Sequence, residues 1–330
     1  MNEQVEMNAA GGLRKRWLAL GAGLVSLGCL LLPHLNLLVF GKLPLFQALL
    51  PVICLGLLLL GIALLLFRRR AVSLILIAGA LLTALPLLIP FGHISKEQPA
   101  AQLTVFSLNV QHSGASVKQI NETIINNDVG LVVLAEVDEN FIAKVLDGVA
   151  GQVLTHRTGK VSAATAADAA GTVILSRYPL AVQDPISGFG ADSYFDQPTA
   201  LVDHPELGIL RIAGIHTQPP VVYSAVPWRQ SLEQLDDWSR SKNDLPLIIA
   251  GDFNASQGHP VYRKLAANFD DTAVAAGIFP RPTWPSKLPF TAIDHILVSG
   301  LCPLSWATVD ISGTDHLGVL ASMGKGRCSK

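Results

Sequence analysis

Three long stretches of this 330-residue chain, 17–40, 45–67 and 71–93, contain no acidic residue and no lysine or arginine. Nothing else in the sequence constrains the fold so strongly. An apolar helix of about 20 residues matches the roughly 30 Å hydrocarbon core of a bilayer. Composition agrees: 50% of residues are hydrophobic, only 15% are charged, and the mean hydropathy is +0.42, greasier than an ordinary soluble domain. A signal peptide accounts for one such stretch but not for three; a hydrophobic bundle in water is the other alternative. The expectation is therefore three transmembrane helices over 17–40, 45–67 and 71–93, behind a cytoplasmic segment 1–16. Flanking charges orient them. Arg14-Lys15-Arg16 precedes the first stretch, Arg68-Arg69-Arg70 separates the second from the third, and Lys42 is the only base between the first and second. Basic residues stay on the cytoplasmic side, so the Lys42 turn and everything after residue 93 are expected outside. Pro33, Pro51, Pro86 and Pro90 kink or end these spans, as packed membrane helices allow.

After a linker at 94–101, residues 102–324 read as one large domain, with a tail at 325–330. Residues 118–127 and 228–241 have helical periodicity. In the second, Trp228, Leu232, Leu235 and Trp238 share one face, which reads as core. The strand-like runs have a further property in common. Residues 103–108 end at Asn109, 129–135 at Glu136, 210–215 at His216, and 247–250 at Gly251-Asp252-Phe253-Asn254. Asp294 sits inside the apolar run 293–298, and Thr314-Asp315-His316 precedes the run 317–321. One polar strand end is ordinarily a cap or a satisfied core group. Four carboxylates, two amides and two histidines at six such places do not read as six separate caps. At 252–254 the period of a strand points Asp252 and Asn254 one way and Phe253 the other. A hard anion and a neutral amide aimed at one spot suit a divalent metal and a phosphate oxygen.

The order of these motifs resembles the endonuclease/exonuclease/phosphatase superfamily, which includes deoxyribonuclease I, abasic-site endonucleases, neutral sphingomyelinases and inositol polyphosphate 5-phosphatases. The resemblance is carried by Ser107-Leu108-Asn109, Ala135-Glu136-Val137, Ile174-Leu175-Ser176-Arg177-Tyr178-Pro179, Gly214-Ile215-His216, Gly251-Asp252-Phe253-Asn254, Ile293-Asp294-His295-Ile296 and Thr314-Asp315-His316. It implies an α/β (α+β) fold, a four-layer α-β-β-α sandwich of two packed mixed sheets, with all the polar strand ends at one rim. It implies Glu136 as the principal ligand of Mg²⁺ or Mn²⁺ with Asn109 beside it, and Asp315 reaching that metal or a second one. Asp252 and Asn254 would orient water and a phosphate oxygen. His316, paired with Asp294, would be general base or phosphate stabiliser, and His216 a phosphate contact or acid. Arg177 would brace Glu136 or bind phosphate. His295, next to Asp294 on a strand, faces away into packing, and His112, His204 and His259 read as surface residues. No carboxylate partner for His216 is evident.

From the residues alone, oxygen ligands without a cysteine cluster favour Mg²⁺ or Mn²⁺ over Zn²⁺. Beyond residue 93 the chain has 17 bases against 23 acids, a net charge of −6, and no basic cluster longer than two. Non-specific grip on nucleic acid needs a basic track, so charge disfavours a nuclease. Cys29 and Cys54 fall in apolar stretches; Cys302 and Cys328 could pair in an oxidising compartment or stay free. Three functions follow in order of preference. The first is a membrane-anchored, divalent-metal-dependent phosphoesterase facing outside the cytoplasm, acting on phosphate esters or diphosphates, including lipid-linked ones. Its layout resembles a membrane-anchored bacterial type associated with glycopeptide resistance and envelope lipid carriers. The second is an extracytoplasmic endonuclease or exonuclease. The third is a catalytically silent binding module on a membrane anchor, which predicts erosion of site residues that in fact all stand.

Orientation is directly testable. A reporter fused after Lys330 is expected to behave as extracytoplasmic, and protease added to intact spheroplasts is expected to clip the domain; cleavage confined to inverted vesicles would reverse the orientation.

Overall fold

The computed structural model of the chain describes residues 2–88, 102–162, 170–186, 195–276 and 282–326. Its N-terminal part is a set of apolar helices: α1 (Asn2–Leu31), α2 (Lys42–Ala48), α3 (Leu50–Leu66) and α4 (Arg70–Leu88). The expected spans are redrawn. The first helix stops short of residue 40, because Pro33 ends it in a single 3-10 turn, Leu32–His34, and the chain then runs extended. The second stretch is broken: α2 meets α3 at a 65° bend, with Pro51 in the first turn of α3. Among the described residues, only Leu13–His34 has by itself the length and hydropathy of a membrane span; α2 with α3 passes only as a bent pair, and Arg70–Leu85 is shorter. The end of the third expected span, 89–93, lies outside the described residues.

These helices pack through small residues. Gly79 lies so close to Ser26 that a Cβ would come within 2.4 Å of it, and Gly61 likewise meets Ile77 at 2.6 Å. Ser73 Oγ donates to Gly61 O (2.6 Å) and Thr83 Oγ1 to Gly79 O (2.8 Å). Ser26, Ser73 and Thr83 are buried, while Leu24, Leu55, Leu59, Leu74 and Leu81 are exposed. The bundle interior mixes these hydroxyl residues with Ala22, Leu76 and Ala80, and its outside is leucine-rich.

The second part contains the strands β1 (Gln102–Asn109), β2 (Leu131–Val137), β3 (His156–Arg157), β4 (Gly171–Ser176), β5 (Leu180–Gln183), β6 (Thr199–His204), β7 (Gly208–His216), β8 (Leu247–Asp252), β9 (Asp270–Asp271), β10 (Asp294–Ser299), β11 (Leu301–Asp310) and β12 (Leu317–Lys325). They form two six-stranded mixed sheets, ordered β11-β12-β1-β2-β4-β3 and β5-β6-β7-β8-β10-β9. Leu103, Val105, Leu131 and Val133 of the first sheet meet Ala200, Ile212, Ile248 and Ile296 of the second in the central core. The alternate residues Phe106, Leu108, Val132 and Leu134 pack under α5 (Val117–Asn126) and α6 (Glu139–Leu146). Ala213, Ile215, Leu247 and Ile249 pack under α7 (Ala225–Ser241) and α8 (Pro260–Ala266), while α9 (Thr272–Ala275) adjoins β9 and β10. Central strands covered on both faces need no alternation of polar residues, which is why their sequences are continuously apolar.

Each sheet has one parallel pair, β1–β2 and β7–β8. Parallel strands end together, so Asn109 lies beside the end of β2 and His216 lies opposite Asp252. Antiparallel neighbours begin where these strands end. Asp294 therefore opens β10 opposite Asp252, rather than lying within a strand, and residues 314–316 lead into β12. The same rule displaces Arg177. It follows β4, which runs antiparallel to β2 with Leu131 opposite Ser176, so it sits at the far end from Glu136. There its guanidinium pairs with Asp128 (2.7 Å) and donates to Val129 O (3.3 Å). Arg177 braces that end of the sheet, not Glu136.

The two parts of the chain are joined by a dock. His259, expected at the surface, is fully buried: its Nδ1 accepts from Ser256 N–H (2.9 Å), which leaves the proton on Nε2 to donate to Pro44 O (2.9 Å). Arg263 donates to Pro33 O and Arg229 to Asn36 O (3.2 Å). Leu38 packs against the core beneath α7 and α8. Gly258 lies against Gln47 O so closely that a Cβ would come within 2.2 Å of it. His204 is also buried, with Nδ1 accepting from Glu206 and Leu207 N–H. Cys302 is buried and disulfide-bonded; Cys328 lies outside the described residues.

Burial, which disfavours the charged imidazole, lowers the pKa of His259 to about 4. Its depressed folded value means that the neutral form stabilises the dock fully above about pH 6.5 and that this stability is lost as pH falls toward 4. The loss is about 3 kcal/mol. His259→Gln is expected to remove this component, so the difference in melting temperature between wild type and variant should shrink as pH falls from 6.5 to 4. A constant difference across that window would exclude the dock as a titrating contact.

Candidate active site

The rim of the two sheets collects eight of the nine residues singled out from sequence. Glu136 is held by a distorted piece of chain. It occupies a bulge between Ala135 and Val137, where β2 loses register with β4, and its φ is +59°. Gln111, His112 and Ser113 also have positive φ, of 47°, 52° and 60°. That turn brings His112 N–H to Glu136 Oε2 (3.0 Å) and Ser113 N–H to Glu136 O (2.9 Å). Four non-glycine residues in the left-handed region around one carboxylate mark strain that the surroundings must hold in place.

Asn109 joins the sheets. Its Nδ2 donates to Glu136 Oε1 (2.9 Å) and to Asp252 Oδ2 (3.2 Å), while its Oδ1 accepts from Gln111 N–H (2.9 Å). It therefore meets the carboxylates as a donor in this structure, and not through the amide oxygen that a metal ligand would offer. Asn254, at φ +46°, donates Nδ2 to Thr217 O (2.8 Å) and N–H to Asp252 Oδ1 (2.8 Å). Gly251 makes this turn feasible. Its φ is +149°, and a Cβ would fall 1.9 Å from Ile215 O, so no other residue fits.

Asp252 and Asp294 oppose each other on adjacent strands, an arrangement that like charges destabilise. His316 lies between them. Its Nδ1 contacts both Asp294 oxygens (3.1 and 3.0 Å), and its Nε2 lies 3.8 Å from Asp252 Oδ2 and 3.8 Å from Asp315 Oδ1. One ligand atom each of Asp252, Asp294 and His316 falls within 4.8 Å of the others, and all three residues are buried. Burial first, and then Asp294, push Asp252 up to about 7. Burial alone would lower His316, but Asp294 and Asp252 overcome it and raise it to about 10. His216 is the contrary case. Burial, then the neighbouring His316 and His112, lower it to about 3, so it is neutral. Its Nε2 faces Glu136 Oε1 at 3.7 Å and Asp252 Oδ2 at 3.9 Å, too far for direct hydrogen bonds. Its Nδ1 is buried without a hydrogen-bond partner, and its ring stacks on Phe195 at 3.9 Å. The carboxylates missing from the sequence reading of His216 are thus Glu136 and Asp252, both delivered by other strands.

Asp315 is half exposed and accepts from Trp284 Nε1 (2.9 Å). His295 faces away as expected. Its Nε2 contacts Ala255 O (2.8 Å), its ring stacks on Tyr262, and Tyr262 in turn donates to Asp271 (2.9 Å). Sequence reasoning missed His112, Gln197, whose Nε2 donates to His216 O (3.0 Å), and Trp284. It quoted Thr314 only as part of a motif; its hydroxyl donates to Asn109 O (2.7 Å) and accepts from His316 N–H (3.1 Å). Only Thr314 carried a signal, two residues before His316.

A profile of the Endonuclease/Exonuclease/phosphatase family matches residues 106–316, and the chain belongs to that family. Among solved structures it is similar to an endonuclease/exonuclease/phosphatase from Beutenbergia cavernae DSM 12333, with 20% identity, 69% of this chain and 72% of that one covered, and a TM-score of 0.54. It is similar also to the endonuclease/exonuclease/phosphatase from Bacteroides vulgatus (16%, 68% and 99%, TM-score 0.54) and to truncated Caenorhabditis elegans TDP2 (15%, 69% and 100%, TM-score 0.53). At these identities the likeness is one of fold. No curated protein matches the chain.

Asp294 touches His316 through both oxygens, so Asp294→Asn replaces one acceptor by a donor. We expect kcat on a phosphodiester to fall by about 10²- to 10⁴-fold with KM little changed. An unchanged kcat would deny Asp294 a role in orienting His316.

Proposed function

We propose that this protein is a membrane-anchored phosphoesterase that hydrolyses phosphate esters or diphosphates with a divalent cation, Mg²⁺ or Mn²⁺. The observation that carries the proposal is the convergence of three carboxylates at one rim: Asp252 and Asp294 share the cationic His316, and Glu136 joins them through Asn109, whose Nδ2 donates to both Glu136 and Asp252. This donor set fits a hard cation: it is oxygen-rich, lacks cysteine and has more negative charge than His316 offsets. Glu136 would hold the ion, with Asn109 and Asp315 the other candidates. Bound there, it would supply charge neutralisation for a phosphoryl oxygen. The protein's own groups divide the remaining work. Asp252 and His316 face the same space: Asp252 can take a proton from the attacking water, and the cationic His316, fixed by Asp294, can return one. Asn254 and neutral His216 are hydrogen-bonding groups for phosphoryl oxygens.

Two features support the membrane part. The bundle's apolar outside, with Ser26, Ser73, Thr83 and small residues at its helix contacts, suits lipid as its solvent. The dock also requires the α1–α2 connection and the domain to share one side of the membrane. An even number of crossings by the intervening α3 and α4 meets that requirement. The basic Arg68-Arg69-Arg70 turn then lies on the opposite, cytoplasmic side.

Glu136→Gln is expected to abolish most Mg²⁺-dependent hydrolysis and to weaken Mn²⁺ binding measured by calorimetry, while the fold persists. Full-length protein in bilayers, which preserves the dock, is the preparation to assay. It should cleave a lipid-linked phosphate faster than duplex DNA, because tethering raises the effective concentration of substrates in the same surface. Rapid cutting of plasmid DNA without preference for lipid would replace this reading by a nuclease.

A further inference from the structure

The segment 217–228 leaves the active-site rim directly after His216 and contains no charged residue, in a domain of net charge −6. An uncharged run in a soluble domain is ordinarily buried. Here Val221, Val222 and Val226 are 43%, 51% and 54% exposed, and Tyr223 is 96% exposed. The run does not stand alone. Gly41, in the turn between α1 and α2, abuts the backbone of Val221 and Val222 so closely that a Cβ would lie 2.6–2.7 Å from it. Beside Gly41, Leu37, Val39 and Phe40 are 56%, 51% and 83% exposed. Two segments distant in sequence thus merge into one exposed apolar surface with two aromatic rings.

We infer that Leu37, Val39, Phe40, Val221, Val222 and Tyr223 form a seating surface for the lipid bilayer, immersed at the boundary between headgroups and acyl chains. The inference rests on the membrane-anchored reading above. Its occupant follows from continuity. The surface begins six residues after the end of α1 at Leu31, and the exposed Leu24, Leu27 and Leu31 lead directly into it. A protein partner would have to displace lipid from a patch that α1 itself delivers to the membrane. Tyr223 has an apolar ring and a polar tip, the combination favoured at that boundary. The absence of acids in 217–228 removes repulsion from anionic lipid.

The seat narrows the substrate class. Tyr223 is seven positions after His216, so the site lies no more than about 25 Å from the lipid contact. A phosphoester carried at the bilayer surface is thereby held within that distance of the site.

The test uses the full-length chain with Cys29→Ser and Cys54→Ala, reconstituted in phosphatidylethanolamine/phosphatidylglycerol vesicles. An environment-sensitive fluorophore is placed at Tyr223→Cys or, as a control, at Ile209→Cys, 51% exposed at the other end of β7. The Tyr223 probe is expected to shift to the blue and to lose most of its emission when doxyl-labelled lipid is included. The Ile209 probe should behave as in water. A Tyr223 probe that stays water-like while the protein resists alkaline carbonate extraction overturns the seat but leaves the anchor intact. A probe that is shielded yet insensitive to doxyl lipid also overturns it, and assigns the surface to a second copy or another protein. Release of the chain by carbonate defeats the anchored reading and the seat with it.

Discussion

Two carboxylates facing each other across adjacent strands are the constraint around which this site is built. Asp252 and Asp294 are buried, and their nearest ligand atoms lie within 4.8 Å. At that separation the repulsion is about 3 kcal/mol for an effective dielectric constant of about 20. His316 offsets it by contacting Asp294 through Nδ1 and facing Asp252 through Nε2. Everything nearby serves that compensation or adds to the demand for it. Asn109 and Asn254 donate to Asp252, and Glu136 brings a third carboxylate from the opposite sheet. A cluster with this much negative charge has the donor set that a hard cation takes.

Chain topology places the site where it is. A parallel pair at the middle of each sheet brings two strand ends to one rim, and antiparallel neighbours contribute the residues at their beginnings. Thr314 then ties the segment before β12 to the end of β1, and Asn109 ties the first sheet to the second. Each site residue is carried by a strand terminus whose own apolar residues are locked in one of three buried clusters. The cost of holding Glu136 and Asn254 at positive φ is borne by that scaffold.

The N-terminal helices pack against the domain. Backbone carbonyls of Pro33 and Asn36 in the α1–α2 connection accept from Arg263 and Arg229, and that of Pro44 in α2 accepts from His259. His259 lies in the loop that leaves Asn254, so the apolar bundle is coupled to the site by a few residues of backbone. The same connection seats Leu38 against the core beneath α7, and Leu50, at the start of α3, is completely buried beside Gly258. Domain and bundle are therefore packed together, and contacts set the orientation of the rim relative to the bundle.

Local chemistry was legible in the sequence because it is written at strand ends. Continuous apolar runs announced strands covered on both faces, and the polar residue closing a run announced the rim at Asn109, Glu136, His216 and Asp252, while Asp294 stood out as an acid within a run. The apolar stretches at 17–40, 45–67 and 71–93 were equally plain, since hydropathy depends on composition. What composition does not hold is pairing. Arg177 follows the strand beside Glu136, but strand direction sends it to the opposite end and into Asp128. His259 looks like a surface histidine until Pro44, more than two hundred residues away, covers it. The length of a helix was also decided by context, with Pro33 and Pro51 turning one expected span into a shorter helix and another into a bent pair. Sequence determined which groups are available, because residue type and periodicity are local. Tertiary structure decided which of them meet, because the contacts that join Asn109, Glu136, Asp252, Asp294 and His316 cross between segments whose proximity only the sheet order creates.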